Sequence, residues 1–351
     1  MARHFPAIVC AILLLFGDSA AAAVVRDLYS ARVPVAGQSD RALADGARAA
    51  LEDVLVKVSG SERVLQNATI ADALAGARSQ VLTYAFERAE SAESTGEKLL
   101  ARFEFDRSYV AGLLMRAGEP LWTANRPVVL VWLVADGSGG RHFVNRETER
   151  DALTQLYEAF SRRGVPIQMP LFDLADTTAL STEDAWGLDG LALRSASSRY
   201  DVQHILAGRV TQLSNGMLVG DWSYFSPRDR LDRSVEAVGM AEYLGQGAAL
   251  VADEMAARYA VAPTESGQVP VAVTISGVTD FADYAAVISW LENLEVVDRT
   301  TVEQIRGDTL TLRLRARTAP SQLAVLFELN EQFEPVRVPG DPGRLSYQWR
   351  H

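Results

Sequence analysis

Cysteine is almost absent from this 351-residue chain: the single one, Cys10, lies within the first two dozen positions. The rest can form no disulfide, offers no thiol nucleophile and supplies no thiolate to a zinc site. Lysine is nearly missing too, with Lys57 and Lys98 alone, so arginine carries the remaining positive charge. Histidine occurs only as His4, His142, His204 and His351, and no HExxH or other metal-ligand spacing is present. There is no G-x-S-x-G elbow for a hydrolase serine. Positive charge is in deficit overall, and a net charge of -11 argues against generic binding to nucleic acid or anionic lipid. After Phe16 no long apolar run recurs, so the chain beyond it is expected to be soluble.

What is present begins with the leader. Arg3 and His4 form a basic start, Phe5 to Phe16 is an apolar run broken only by Pro6, and Ala20 to Ala23 offer small-residue cleavage sites. An apolar core of about a dozen residues is too short for a spanning helix and fits a cleaved secretory signal over residues 1–23. Cys10 follows Val9 and precedes most of the run, the wrong place for a lipid-acceptor cysteine. Losing Arg3 and Asp18 leaves the net charge unchanged. An exported chain without cysteine suits a Gram-negative periplasm, and the Asn67-Ala68-Thr69 sequon is then a chance occurrence. The roughly 330 residues that remain exceed one hydrophobic core, and a 48% apolar composition excludes disorder.

Periodicity divides them into three blocks. An N-terminal α+β block, 24–118, opens with a strand over Val24–Val33. Ser39 then caps a helix with Leu43, Ala47, Leu51, Val54, Leu55 and Val58 on one face, and Gly60 ends it. A second helical stretch runs through Ile70, Leu74, Val81 and Leu82. Leu99–Phe105 alternates as a strand with Phe103 and Phe105 inward, and Ser108–Arg116 is a short helix. Glu119–Pro127 reads as a linker. The middle block, 128–261, starts with Val128–Val134, an unalternated run expected in a strand buried on both faces. A helix over Glu147–Arg163, a strand over Pro166–Met169, a helix opened by Ser181 and Asp184, and a strand over Gln203–Val210 follow. Asn215-Gly216 predicts a hairpin, and Met240–Tyr259 a long helix. The order β-α-β-α-β-β-α is that of a small α/β domain. Val261–Pro270 reads as a second linker. The C-terminal block, 269–351, has strand, helix, hairpin, helix and strand, the β-α-β-β-α-β order of a ferredoxin-like domain. Its first helix carries the stripe Phe281, Tyr284, Ala285, Ile288 and Leu291.

No catalytic, cofactor-binding or metal-binding residue is assigned, and no cofactor is implied. Asp136-Gly137-Ser138-Gly139-Gly140 follows a buried strand, yet it lacks the spacing and the Lys-Ser/Thr of a phosphate loop. His142, beside it, is the strongest catalytic suspect; His204, within a strand, reads as structural. Carboxylates at Glu147, Glu149 and Asp151 are accounted for by a helix start. Arg313, Arg315 and Arg317 alternate with Leu312, Leu314 and Ala316, placing an arginine row on one sheet face, solvated or used to bind an acidic partner. Tyr347 and Trp349 fall on the core side. Trp122 and Trp186 fit either interface anchors or burial between domains.

The stretches Leu28–Val35 (LYSARVPV), Leu55–Gly60 (LVKVSG), Arg163–Pro166 (RGVP), and Ser195–Tyr200 (SASSRY) leading to Ile205–Arg209 (ILAGR) resemble an uncharacterised proteobacterial envelope family, domain-of-unknown-function family 2066. The resemblance covers nearly all of the chain past the leader and implies a location, with no activity or functional residues attached. The reading that follows is a non-enzymatic periplasmic protein that binds or organises other envelope proteins. Two alternatives stay open: a cell-envelope hydrolase with its site near Gly137–His142, and a small-ligand or glycan module between the first two blocks.

Overall fold

A computed structural model describes residues 23–89, 98–262, 269–336 and 344–350. The expected leader, up to residue 22, lies outside the described residues, as does most of the second linker. The architecture is mixed α/β, with three sheets of three or more strands and ten α-helices among the described residues.

The chain opens with β1 (Ala23–Val24), and β2 (Ser30–Pro34) follows a turn, so the single strand expected over Val24–Val33 is two. Helix α1 (Asp40–Ser59) starts where the Ser39 side chain accepts from the Ala42 N–H. It stops at Gly60, whose φ of 79° suits a residue without Cβ. Its face of Leu43, Ala47, Leu51, Val54, Leu55 and Val58 is buried, as the 3.6-residue period requires. Helix α2 (Ala68–Leu74) is short. Val81 and Leu82, expected to continue it, instead begin β3 (Val81–Ala89), because Gly76 and a 3₁₀ turn over Ala77–Gln80 intervene. β4 (Lys98–Phe105) pairs with β2 and β3, with Ala101, Phe103 and Phe105 inward, and α3 (Arg107–Arg116) closes the unit.

β5 (Asn125–Arg126) pairs with β1. The middle unit then runs β6 (Val129–Gly137), β7 (Gly140–Phe143), α4 (Arg150–Arg163), β8 (Ile167–Gln168), α5 (Leu174–Ala179), α6 (Thr182–Trp186), α7 (Gly190–Ser197), β9 (His204–Gln212), β10 (Leu218–Phe225), β11 (Arg230–Ala237) and α8 (Met240–Tyr259). The sheet order is β11-β10-β9-β6-β7, with β8 also beside β6. β6 lies parallel to β8 and β9. Its unalternated apolar run has a direct cause. Val129, Val131 and Leu133 join the core that α4 and α8 share, while Leu130, Trp132 and Val134 join a separate core under α5–α7. Asn215-Gly216 turns the β9–β10 hairpin, with Gly216 at φ 85°. β11, an edge strand, is missing from the order expected from the sequence because Arg233 interrupts the alternation of Leu231, Val235 and Ala237 toward the core.

The last unit runs β12 (Val269–Ser276), α9 (Phe281–Glu292), β13 (Val297–Arg306), β14 (Thr309–Ala316), α10 (Pro320–Glu328), β15 (Phe333–Pro335) and β16 (Leu345–Trp349), in the sheet order β13-β14-β12-β16-β15. The buried face of α9 keeps part of the expected stripe: Leu291 is buried and Tyr284 and Ile288 pack against the core, while Phe281 and Ala285 face water and Asp283 and Val287 point inward. Asp283 turns in because its carboxylate caps the helix, accepting from Thr279 and Asp280, and takes the Trp349 indole N–H at 3.1 Å.

The stretch read as the first linker is threaded through the interior. Leu121, Trp122, Thr123 and Arg126 are buried. Leu121 and Val261 exchange both backbone hydrogen bonds, so the chain enters and leaves the middle unit side by side. The apolar residues of the first and last units belong to one contiguous buried cluster, which includes both Leu121 and Val261.

Candidate functional site

At the amino ends of β6 and β9, a cleft of about 430 Å³ separates the middle unit from α10. Four segments supply the middle-unit wall. The approach to β9 gives Asp201, Val202 and Gln203, with His204 as the first strand residue; the β10–β11 turn gives Pro227 and Arg228; the end of α8 gives Arg258 and Tyr259; Pro127 and Val128 complete it. Asp201 sits at φ 51°, a left-handed conformation that Asp tolerates better than most residues. The opposite wall is α10 and its exit: Val325, Glu328, Leu329 and Glu331.

His204 forms the floor. Its Nδ1 lies 2.6 Å from the Tyr224 hydroxyl, its Nε2 lies 3.4 Å from the Tyr259 hydroxyl, and its ring stacks on Tyr224. Burial, reinforced by the Arg258 charge, pushes its pKa down to about 4, so the imidazole is neutral. Burial also raises Tyr259 and Tyr224, so both stay protonated. Both imidazole nitrogens therefore face tyrosine hydroxyls. The arrangement polarises no nucleophile, since neither phenol is lowered toward phenolate. Around this floor the charges form two poles. Arg228 and Arg258 both act on Tyr259, and Asp201 acts on Glu331, whose carboxyl is raised by burial and by that like charge. Among the described residues, none of Arg228, Arg258, Glu328 and Glu331 forms an ion pair.

His142 lies elsewhere, on β7 at the opposite end of the sheet. The glycine-rich segment is the β6–β7 hairpin, so β6 leads into a strand and not into a phosphate-binding helix. The His142 Nδ1 lies 3.1 Å from the Gly140 carbonyl and its Nε2 3.4 Å from a Glu149 carboxylate oxygen. Glu149 belongs to the acidic cluster at the start of α4. The structure thus pairs two residues that the sequence treated separately, and engages both ring nitrogens with protein groups. His142 and His204 are not brought together.

Arg313 and Arg315 sit on β14 with Leu312, Leu314 and Ala316 inward, as the alternation required, and Arg317 follows the strand's end. The row is partly neutralised. Arg313 pairs with Glu303 and Arg317 with Asp298, both on β13, and Arg317 also reaches Met115 Sδ at 3.4 Å on α3. Arg315 lies opposite Arg299 in the strand register. Tyr347 and Trp349 are core residues. Trp122 is fully buried, and Trp186 is half-buried beneath the Arg141 guanidinium at 4.4 Å.

Arg126, next in sequence to the cleft-lining Pro127, forms a buried junction. It is fully buried and donates to the carbonyls of Lys57 (2.9 Å), Trp122 (2.8 Å), Thr123 (2.9 Å), Arg163 (3.4 Å) and Gly164 (2.8 Å), with its guanidinium 3.8 Å over the Trp122 ring. Burial pushes its pKa down to about 9, offset by Glu295 and Tyr29. The Tyr29 hydroxyl donates to Glu295 at 3.0 Å, and Arg107 reaches the same carboxylate at 3.4 Å. First unit, connector and middle unit thereby meet at one buried cation, and Glu295 of the last unit, held by Tyr29 and Arg107, lies near enough to act on its charge. Sequence reasoning passed over Arg126 because it lay in an apparent linker; its flanking Trp122 and Pro127 were the only signal. The cleft residues are spread from Pro127 to Glu331, and no local pattern marks them.

Among the described residues no group of three or more His, Cys, Asp or Glu side chains converges to hold a metal ion. No helix among them is long and apolar enough to cross a membrane. No curated protein matches the chain. A solved structure titled "Crystal structure of uncharacterized protein" is similar over 37% of this chain and 90% of its own, at 11% identity and a TM-score of 0.17. Residues 22–123, spanning the first unit and the buried connector through Trp122 and Thr123, match the model of an uncharacterised family, "Domain of unknown function (DUF8605)".

Proposed function

We propose that the chain is an exported, non-enzymatic protein of the Gram-negative periplasm that binds or organises other envelope proteins. One observation carries the reading: large apolar side chains stand in water on the middle and last units. Leu171, Leu174 and Leu191 project from the α5–α7 layer of the middle unit, and Phe281 and Ile305 project from the last unit. Leu171 continues into a groove with Leu153, Tyr157, Met169 and Phe172. Exposed apolar groups of this size, set among charged residues, are what partner surfaces bury. The leader-like start and the likeness to family 2066 support the location. The last unit is read as ferredoxin-like: β12, β13, β14 and β16 lie in the order β13-β14-β12-β16 with β12 and β16 parallel, and β15 extends the edge. That fold leaves a sheet face open beside Ile305.

Photo-crosslinking in intact cells tests the proposal. A crosslinkable residue replaces Leu174, Leu191 or Phe281 in turn, with exposed Thr154 on α4 as the control. The expected result is a discrete adduct with an envelope protein from at least one apolar position and none from Thr154. Identical adduct patterns from all four positions, or none, would show that these surfaces engage no specific partner.

A further inference from the structure

The cleft between the middle unit and α10 has a charge layout that the partner-binding reading does not use. Its arginine pole, Arg228 and Arg258, and its carboxylate pole, Asp201 and Glu331, lie in one concavity with Glu328 on the α10 wall. Among the described residues neither arginine is ion-paired with Glu328 or Glu331, and the like-charged Asp201 lies near enough to Glu331 to raise its carboxyl. The rest of the lining mixes short apolar side chains, Val325, Leu329, Val128, Val202 and two prolines, with Gln203. The floor is a neutral imidazole bracketed by phenols, which offers polar groups but no charge. The walls belong to separate units, and small-molecule sites favour such boundaries.

We propose that this cleft binds a small zwitterion, an amino acid or short peptide with free ends. Its carboxylate lies against Arg228 and Arg258, and its ammonium fills the gap between Asp201 and Glu331. Arginine suits the first task because its planar fork meets a carboxylate with two parallel donors. A carboxylate pair suits the second, since one ammonium relieves their mutual repulsion while making hydrogen bonds to both. The volume of about 430 Å³ falls within the range of small-molecule sites. The apolar part of the lining accommodates short side chains. The proposal stands apart from the partner-binding reading: either can fail alone.

The test uses the full chain without its leader and three probes: alanyl-alanine, its N-acetyl form and its C-terminal amide. Binding is followed by calorimetry and by amide shifts of residues around the cleft. Alanyl-alanine is expected to bind saturably, and blocking either end to cost about tenfold in affinity or more. Glu331→Gln is expected to cost about as much as acetylation does, and to add little once the probe is acetylated. Arg228→Gln is expected to behave the same way toward the amide. Both side chains are exposed, so both variants keep the fold, which their thermal midpoints check. Three results overturn the proposal: no saturable binding of alanyl-alanine, equal binding of the blocked forms, or variants that bind as the unaltered chain does.

Discussion

At the residue scale, the decisive feature is the cost of ionisation inside the protein. His204 is 3% exposed, and its pKa of about 4 lies well below that of an imidazole in water. An unfolded chain takes up this proton as pH falls through about 6.5, while the folded chain refuses it until about 4. The unfolded state therefore binds more protons in that window, and stability drops as pH is lowered through it. The loss attributable to His204 is at most about 3 kcal/mol and is complete below pH 4. Asp173 is held down to about 2 by the Arg199 beside it, so its own contribution falls in a lower window. Urea midpoints between pH 7 and pH 4 are expected to fall less for His204→Gln than for the unaltered chain. Equal pH dependence would show that His204 does not titrate as its surroundings imply. The sequence placed His204 in an apolar strand; the structure buries it there, where it also lines the cleft. The sequence could not show the two tyrosines, which come from β10 and the end of α8.

At the element scale, close approach of backbone to ring decides the middle core. Trp222 on β10 stacks on Tyr243 and donates its indole N–H to the Tyr243 carbonyl at 3.1 Å. Gly208 on β9 and Gly247 on α8 form the slot that receives the ring. A Cβ at Gly208 would stand 2.3 Å from Trp222, and one at Gly247 would stand 2.6 Å away. Gly245, two residues earlier on α8, has open space in the same place. Gly208→Ala and Gly247→Ala are each expected to destabilise by about 1–3 kcal/mol through overpacking. Gly245→Ala is expected to stabilise by about 0.5–1 kcal/mol, because alanine is the better helix former. Chemical denaturation of the three variants checks the contrast, and a uniform sign across them would refute it. Most elements were legible from periodicity and caps: α1, α4, α8, β6 and the β9–β10 hairpin follow local rules. The misreadings share a cause. Val81 and Leu82 fit a helical stripe until β4 offers a pairing partner, and α9 turns Asp283 inward beside Val287 and Leu291 because its carboxylate caps the helix.

At the scale of the whole molecule, one buried cation ties the first unit to the middle unit through the connector. Arg126 satisfies five backbone carbonyls drawn from α1, the connector and the end of α4, and Glu295 of the last unit lies near enough to bias its charge. Arg126→Ala leaves those acceptors buried without a donor and is expected to cost about 3–5 kcal/mol. Arg126→Lys is expected to recover only part of the loss, since an ammonium has three donors and no planar fork. Urea unfolding measures both; an alanine variant as stable as the unaltered chain would remove the junction from this account. What the sequence by itself determined is whatever depends on neighbours along the chain: the leader-like start, helix periods and caps, the doubly buried strand, and the mixed α/β class. Only the tertiary structure decided that a Pro-flanked connector is interior, that Leu121 meets Val261, and that Arg228 and Glu331 share a cleft. The physical reason is range. Periodicity and capping act over a few residues, whereas burial of a charge and the lining of a cleft depend on which distant segments packing brings together.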